Sequence, residues 1–391
     1  MNMIRIHPLD NVLVALEPEK AVESFKGLIL KDDIPQGHKM ALEKIGAGEN
    51  IIKYGNPIGH AIRDISAGEH VHTHNVKTNL SGTLEYSYQP KRFSLPFALP
   101  MRTFRGYRRK NGDVGIRNEI WIIPTVGCVN ETARIIAEKA NQKYCIKENF
   151  DGVYFFGHPY GCSQMGDDQS TTQTILADLV RHPNAGAVLV LGLGCENNNI
   201  AEFKKVLGDY DPERVKFLVT QEVEDELASA LSLMDGMASR LMEDAREDIP
   251  ASKLNIGLKC GGSDGLSGIT ANPLLGAFSD ILIAMGGTSV LTEVPEMFGA
   301  ETLLMERSAS KEVFEKTVEM VNGFKDYYVR HDQVVYENPS PGNKEGGITT
   351  LEDKSLGCVQ KGGLSPVVDV LRYGDQLSKP GLNLLEGPGN D

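Results

Sequence analysis

The chain has one tryptophan, only six cysteines in 391 residues, and fewer basic than acidic groups. Each shortage excludes something. Six thiols scattered through a chain this long do not make a disulfide-stapled secreted scaffold; they read as buried small groups, metal ligands or catalytic groups. Lys+Arg is 40 against Asp+Glu 53, a net charge of -13, which repels nucleic acid and anionic membrane surfaces. The one dense basic run, residues 102–110, is short and reads as a solvated linker. Nothing approaches the roughly 18 uninterrupted apolar residues of a membrane helix. Residues 1–16 lack the basic-then-apolar pattern of a signal peptide. The expectation is a soluble, cytoplasmic protein without nucleic-acid or membrane partners.

With 41% apolar residues the chain can bury the cores of two or three domains. Residues 1–86 are short β-like runs (3–6, 11–16, 27–30, 51–54) broken by Gly and Asp, the pattern of a compact all-β module. Residues 87–112 hold three prolines and the basic run without periodicity, and read as a linker. From 113 onward strand-like and helical stretches alternate: strands at 121–126, 153–156, 187–191 and 216–220, helices at 130–143, 168–181, 198–207 and from 223. Further strands are expected at 254–258, 280–284 and 289–294. Such alternation implies a mostly parallel sheet, with ligands outside the carboxyl ends of its strands. We divide this part into a middle domain, 113–250, and a C-terminal domain, 251–391.

Four clusters can carry chemistry. In Glu69-His70-Val71-His72-Thr73-His74-Asn75 three histidines alternate; on a strand all three imidazoles would share one face, as a transition-metal site or as a solvated polar face. Gly-Cys recurs at Cys128, Cys162, Cys195 and Cys358, the first three after strand-like runs, and Cys260 also follows a strand. A glycine turn leaves such a thiol at the strand end, where iron, zinc or an iron–sulfur cluster would suit it. A glycine-rich loop, residues 259–270, offers hydroxyls, backbone amides and one cation. It matches neither the phosphate loop with its Gly-Lys-Ser/Thr ending nor Gly-x-Gly-x-x-Gly. The run 158–168 joins an acid–base candidate, His158, to a thiol and to Asp167-Asp168, with Asp168 placed to cap the helix that follows. Glu196 and Asn197 make a similar polar strand end.

At these residues the chain resembles a known family. Lys53-Tyr54-Gly55-Asn56-Pro57-Ile58-Gly59 and the histidine run resemble the SAF-type β-clip domain that opens the altronate and galactarate dehydratases. Pro124-Thr125-Val126-Gly127-Cys128-Val129-Asn130, residues 160–168, 192–198, 260–273 and 293–301, then 336–343, 346–350 and 355–358, resemble their catalytic part. The match spans essentially the whole chain, with the altronate branch nearest. It implies a β-clip domain joined by a linker to a Rossmann-like α/β part, and a small sugar acid as partner. It implies metal-assisted dehydration of D-altronate to 2-dehydro-3-deoxy-D-gluconate in hexuronate catabolism. Iron dependence follows: Fe2+, with Mn2+ and an iron–sulfur cluster left open, as is a homodimer. Relatives continue past Asp391, so a further C-terminal segment is expected. The alternatives are a lyase acting on galactarate, another sugar diacid or a sulfonated acid, and a non-catalytic sugar-acid-binding fragment.

Dehydration removes the proton α to a carboxylate and expels the C3 hydroxyl, so it needs a base, an acid and a charge stabiliser for the enediolate. Chemistry then assigns His158, Lys259 and Glu293 to proton transfer. Gly261, Gly262, Ser263, Asp264, Ser267, Thr270 and Asn197 are assigned to substrate, and His70, His72, His74, Cys162, Cys195, Cys260 and Cys358 to metal.

Overall fold

The computed structural model describes residues 2–25, 27–91, 99–144, 146, 149–336 and 338–387. The chain divides into two compact units, Met1–Met101 with Leu254–Asp391, and Arg102–Lys253.

In the first unit the N-terminal β module is built from short antiparallel strands. Met3–Ile4, Val12–Ala15, Lys39–Ala41 and His70–Val71 form one sheet in that order. Asn50–Lys53, Asn56–Ala61 and Val76–Lys77 form another. The C-terminal part is a parallel sheet in the order Asn255–Leu258, Thr288–Leu291, Gly381–Leu385, Val367–Leu371, with helices Ala271–Ala284, Lys311–Arg330 and Leu351–Cys358. One apolar core is continuous through both. Val12, Ile51, Ile58 and Val71 of the β module share it with Leu258, Leu291, Phe298 and Leu356. The β module is therefore no appended bead; it buries its apolar side against the residues that follow the middle of the chain.

The second unit is a four-stranded parallel sheet, order Gly152–Phe155, Glu119–Pro124, Ala185–Gly192, Val215–Val219. Side chains alternate across a strand. Ile120 and Ile122 accordingly enter one core with Ile136 and Met234, while Trp121 and Ile123 enter the other with Leu176 and Phe203. That explains the nearly unbroken apolar run at 120–123, since a parallel sheet is covered on both faces.

Four local expectations change. Residues 280–284, expected as a strand, end the helix Ala271–Ala284. A short apolar run does not distinguish strand from helix, and burial of Asn272, Gly276, Ser279 and Asp280 at helical spacing decides it. The basic run placed in a linker contains the strand Thr103–Arg108, antiparallel to Glu247–Pro250, with its arginines paired to Asp248 and Glu247. Before it, the described linker residues are mostly exposed but anchored at two points: Tyr88 packs on Phe314, and Lys91 N–H donates to the Glu306 carbonyl. Asp168 does not cap its helix; the N-cap is Met165, and Asp167 and Asp168 lie in the first turn, where the helix dipole favours acidic groups. No helix among the described residues is long and apolar enough to cross a membrane.

Candidate active site

A buried charged cluster lies at the carboxyl ends of the first unit's parallel strands. After the strand Thr288–Leu291 the chain turns through Glu293, a non-glycine residue in the left-handed region (φ 70°), into the 3-10 helix Val294–Met297. Such backbone persists where surrounding structure enforces it, often at working sites. Glu293, just before this helix, and Glu296, within it, both turn toward Cys260. Cys260, just past the neighbouring strand Asn255–Leu258, meets both. Its N–H donates to Glu293 Oε2 (2.8 Å), and its Sγ lies 3.4 Å from Glu293 Oε1 and 3.2 Å from Glu296 Oε1. Cys358, the last residue of the helix Leu351–Cys358, points its Sγ at Glu296 Oε2 (3.0 Å).

Two lysines neutralise the carboxylates. Lys361 Nζ lies 3.2 Å from Glu293 and Lys354 Nζ 2.8 Å from Glu296, and all four side chains are at most 3% exposed. Burial would raise the Glu296 carboxyl, but hydrogen bonds from Cys358, Lys354 and Cys260 hold it below the usual range. Burial and the adjacent Glu296 and Glu293 push the Cys260 thiol up to about 11, and burial and Glu296 push Cys358 well above its ordinary value. Lys361 is raised because Cys358, Glu293 and Glu296 outweigh its burial. The cluster thus favours an anionic Glu296 and a charged Lys361 beside protonated thiols.

Donor atoms of Cys260, Glu293 and Glu296 all lie within 4.8 Å of one another, the one such group of three among the described residues. One sulfur with two carboxylates is a mixed soft and hard set that fits a borderline divalent ion such as Fe2+. Binding there would release the thiol proton.

Of the loop residues, Ser263 is buried, with its Oγ 4.0 Å from Cys358 Sγ. Asp264 Oδ1 accepts from the Leu266 and Ser267 N–H groups and the Ser267 hydroxyl, so these two side chains largely serve the loop itself. Thr270 Oγ1 donates to the Leu266 carbonyl. Lys259, Gly261 and Gly262 are exposed just before Ser263. His158 and Asn197 belong to the second unit. The His158 ring is occupied on both sides: Nδ1 accepts from Tyr160 N–H (3.3 Å), which leaves Nε2 to donate to the Pro124 carbonyl (3.1 Å), and burial lowers its pKa.

The four thiols assigned to metal divide between the units. Cys162 and Cys195 are exposed in the second unit, where the Asn197 N–H donates to the Cys162 carbonyl, while Cys260 and Cys358 share Glu296 in the first. The histidines do gather, though not on a strand face. The strand stops at Val71, and His72 and His74 sit in a turn closed by Asn75. His70 stacks on His72 (ring centroids 5.6 Å) and lies 5.3 Å from His74. His38 joins them from the neighbouring strand edge, with its Nδ1 3.0 Å from His70 Nε2. Burial lowers His70 to about 4 and His72 to about 3.

Sequence reasoning left Glu296, Lys354, Lys361 and His38 without roles. A trace of the first three was present: two acids three apart, and two lysines seven apart on one helical face.

The sequence matches known proteins along its length. Residues 1–79 match the model of the altronate/galactarate dehydratase SAF domain. Residues 106–242 match that of the D-galactarate dehydratase/altronate hydrolase second domain, and residues 251–391 that of the D-galactarate/altronate dehydratase C-terminal domain. The chain is 57% identical over its full length to the altronate dehydratases of Bacillus subtilis (strain 168) and Escherichia coli (strain K12), covering 79% and 80% of them. It is 34% identical over 99% of its length to the galactarate dehydratase (L-threo-forming) of Escherichia coli (strain K12), covering 77% of it. Three family models laid end to end, together with relatives matched over the full length of the chain, lead to one conclusion: this chain belongs to the altronate/galactarate dehydratase family.

Proposed function

We propose that the protein is a hydro-lyase that dehydrates D-altronate to 2-dehydro-3-deoxy-D-gluconate, with Fe2+ held by Cys260, Glu293 and Glu296. The observation that carries the reading is the strand-end cluster itself, two carboxylates and two ammonium groups buried around a thiol. Full-length identity to altronate dehydratases supports the substrate. The ion, when bound, supplies positive charge that stabilises an enediolate.

The chain's own groups do the proton work. The Glu293 carboxylate accepts the α-proton. Lys361, raised and 3.2 Å from Glu293, donates to the departing C3 hydroxyl. Lys354 keeps Glu296 anionic. Ser263, at the cluster's edge, offers a hydroxyl to the substrate. No hydride moves, in keeping with the missing nicotinamide fingerprint. The five free thiols among the described residues suit a reducing cytoplasm.

The test is incubation of anaerobically purified protein with altronate, ferrous iron and a thiol, following 2-keto acid formation. Iron-dependent product is expected, with chelator abolishing it. Stabilisation against heat by altronate without any product would make the chain a binding protein instead.

A further inference from the structure

The second unit carries thiols that the dehydration chemistry does not use. Its described cysteines are Cys128, Cys162 and Cys195; each follows a glycine, and each is exposed and free. Exposed thiols are open to oxidation, so three held at one edge of a sheet are a liability unless something covers them.

The fold gathers them. Strand Glu119–Pro124 lies between Gly152–Phe155 and Ala185–Gly192, all three parallel, and the loops that carry the cysteines leave from the same edge. Neighbouring strands are about 4.8 Å apart, so the loops start within roughly 10 Å of one another. Hydrogen bonds then lace each loop to the other two. Gly127 N–H donates to the Tyr160 carbonyl (2.7 Å), Asn197 N–H to the Cys162 carbonyl (2.9 Å), and the Asn198 side-chain amide to the Thr125 carbonyl (3.0 Å). Cys128 stands next to the first of these bonds, Cys162 makes the second, and Cys195 closely precedes its donor.

This edge favours negative charge. The helices Asn130–Tyr144, Gly166–Arg181 and Ile200–Leu207 begin a few residues after Cys128, Cys162 and Cys195 in turn. A helix N-terminus carries partial positive charge and N–H groups without helical partners, which suits thiolates and the anionic centre they would ligate. Glu196 is not a rival ligand, because the Thr125 hydroxyl and the Leu193 and Gly194 N–H groups occupy its oxygens.

Spacing decides the kind of centre. Sulfurs bound to one ion at about 2.3 Å can be no more than about 4.6 Å apart. The three thiols are not gathered within 4.8 Å of one another; among the described residues the group that is comprises Cys260, Glu293 and Glu296. A single ion therefore does not reach all three as they stand. An iron–sulfur cube does, because each thiolate binds a different iron.

We propose that Cys128, Cys162 and Cys195 hold an iron–sulfur cluster of the four-iron class at the strand ends of the second unit, with the remaining iron left to a non-protein ligand. Loading is a ligand exchange without redox change. Each cysteine sulfur forms a bond to iron, a small thiolate leaves that iron, and the cysteine's proton departs with it. Neither altronate nor the site at Cys260 takes part, so this proposal stands or falls apart from the dehydratase reading.

The experiment incubates the metal-free full chain anaerobically with a preformed four-iron, four-sulfide cluster bearing small thiolate ligands, then desalts it. About four irons and four acid-labile sulfides per chain are expected, with the visible absorption of sulfide-bridged iron. Iodoacetamide labelling of the three cysteines should fall at least roughly tenfold on loading. A chain with Cys128→Ser, Cys162→Ser and Cys195→Ser together should retain less than about a tenth of the sulfide, whereas Cys260→Ser should retain it in full. Circular dichroism of each metal-free variant checks folding, and the labelling of wild-type protein needs no variant at all. Iron bound without labile sulfide, sulfide kept by the triple variant or lost equally from Cys260→Ser, or undiminished labelling overturns the proposal.

Discussion

Both units of the chain end their parallel strands in thiols, yet they surround them differently. In the first unit Cys260 and Cys358 share Glu296, whose charge and that of Glu293 are matched by Lys354 and Lys361 in buried pairs. In the second, Cys128, Cys162 and Cys195 are exposed. The nearby Glu196 spends its oxygens on the Thr125 hydroxyl and the Leu193 and Gly194 N–H groups, which hold its carboxyl low against burial. The same sequence device, a small-residue turn after a strand, thus delivers a reactive cluster in one place and a satisfied structural acid in the other. The difference is whether the carboxylate's partners are side-chain cations or local backbone. A lysine can exchange a proton at the site, whereas a backbone amide only fixes geometry.

The sharpest break in this comparison is Glu293→Gln against Glu196→Gln. The first keeps an oxygen donor but loses basicity, and kcat for altronate should fall about 100-fold or more; the second should leave kcat within about threefold. Comparable losses of kcat would erase the distinction.

Stability gives the next largest contrast. Asp353→Ala strands Lys39 and Lys53 in the interior and should lower unfolding free energy by about 3–5 kcal/mol. Glu196→Ala removes only an acceptor, for about 1–3 kcal/mol. Denaturant titration of each variant checks both. The pH dependence has a definite sign. Burial works against Asp353 ionisation, but Lys39 and Lys53 hold its carboxyl far below the usual range. Its contribution is therefore complete above the ordinary carboxylate pKa of about 3.9 and is lost as pH falls below it. Asp353→Asn should flatten that acid limb, and an unchanged limb would remove Asp353 from its cause.

The smallest effect is chemical. At neutral pH Cys260 and Cys358 are held protonated by burial and their carboxylate neighbours, and the thiolate is the nucleophile. Iodoacetamide labelling followed by mass spectrometry should mark Cys128, Cys162 and Cys195 first, with Cys358 at least roughly tenfold slower. Equal rates at Cys358 and Cys195 would contradict the burial contrast.

What the sequence determined by itself was whatever is local or periodic. The apolar run at 121–126 announced a strand, seen at Glu119–Pro124, and the spaced apolar residues from Val223 announced the helix Glu226–Leu241, whose cap, Asp225, only the structure identified. The motif at 293–301 already carried both carboxylates of the site, and the resemblance to the dehydratases named the family. Tertiary structure decided everything that depends on distant partners. Lys39 and Lys53 are 314 and 300 residues from Asp353, and no period in a sequence links charges so far apart. His38, just before the strand Lys39–Ala41, reaches His70 because that strand pairs with His70–Val71. The run at 280–284 became helix because burial, not its composition, chose its period. Only when the β module folds onto residues 254–391 do its buried lysines acquire a counter-charge, because burial makes an unpaired ammonium too unfavourable to leave alone.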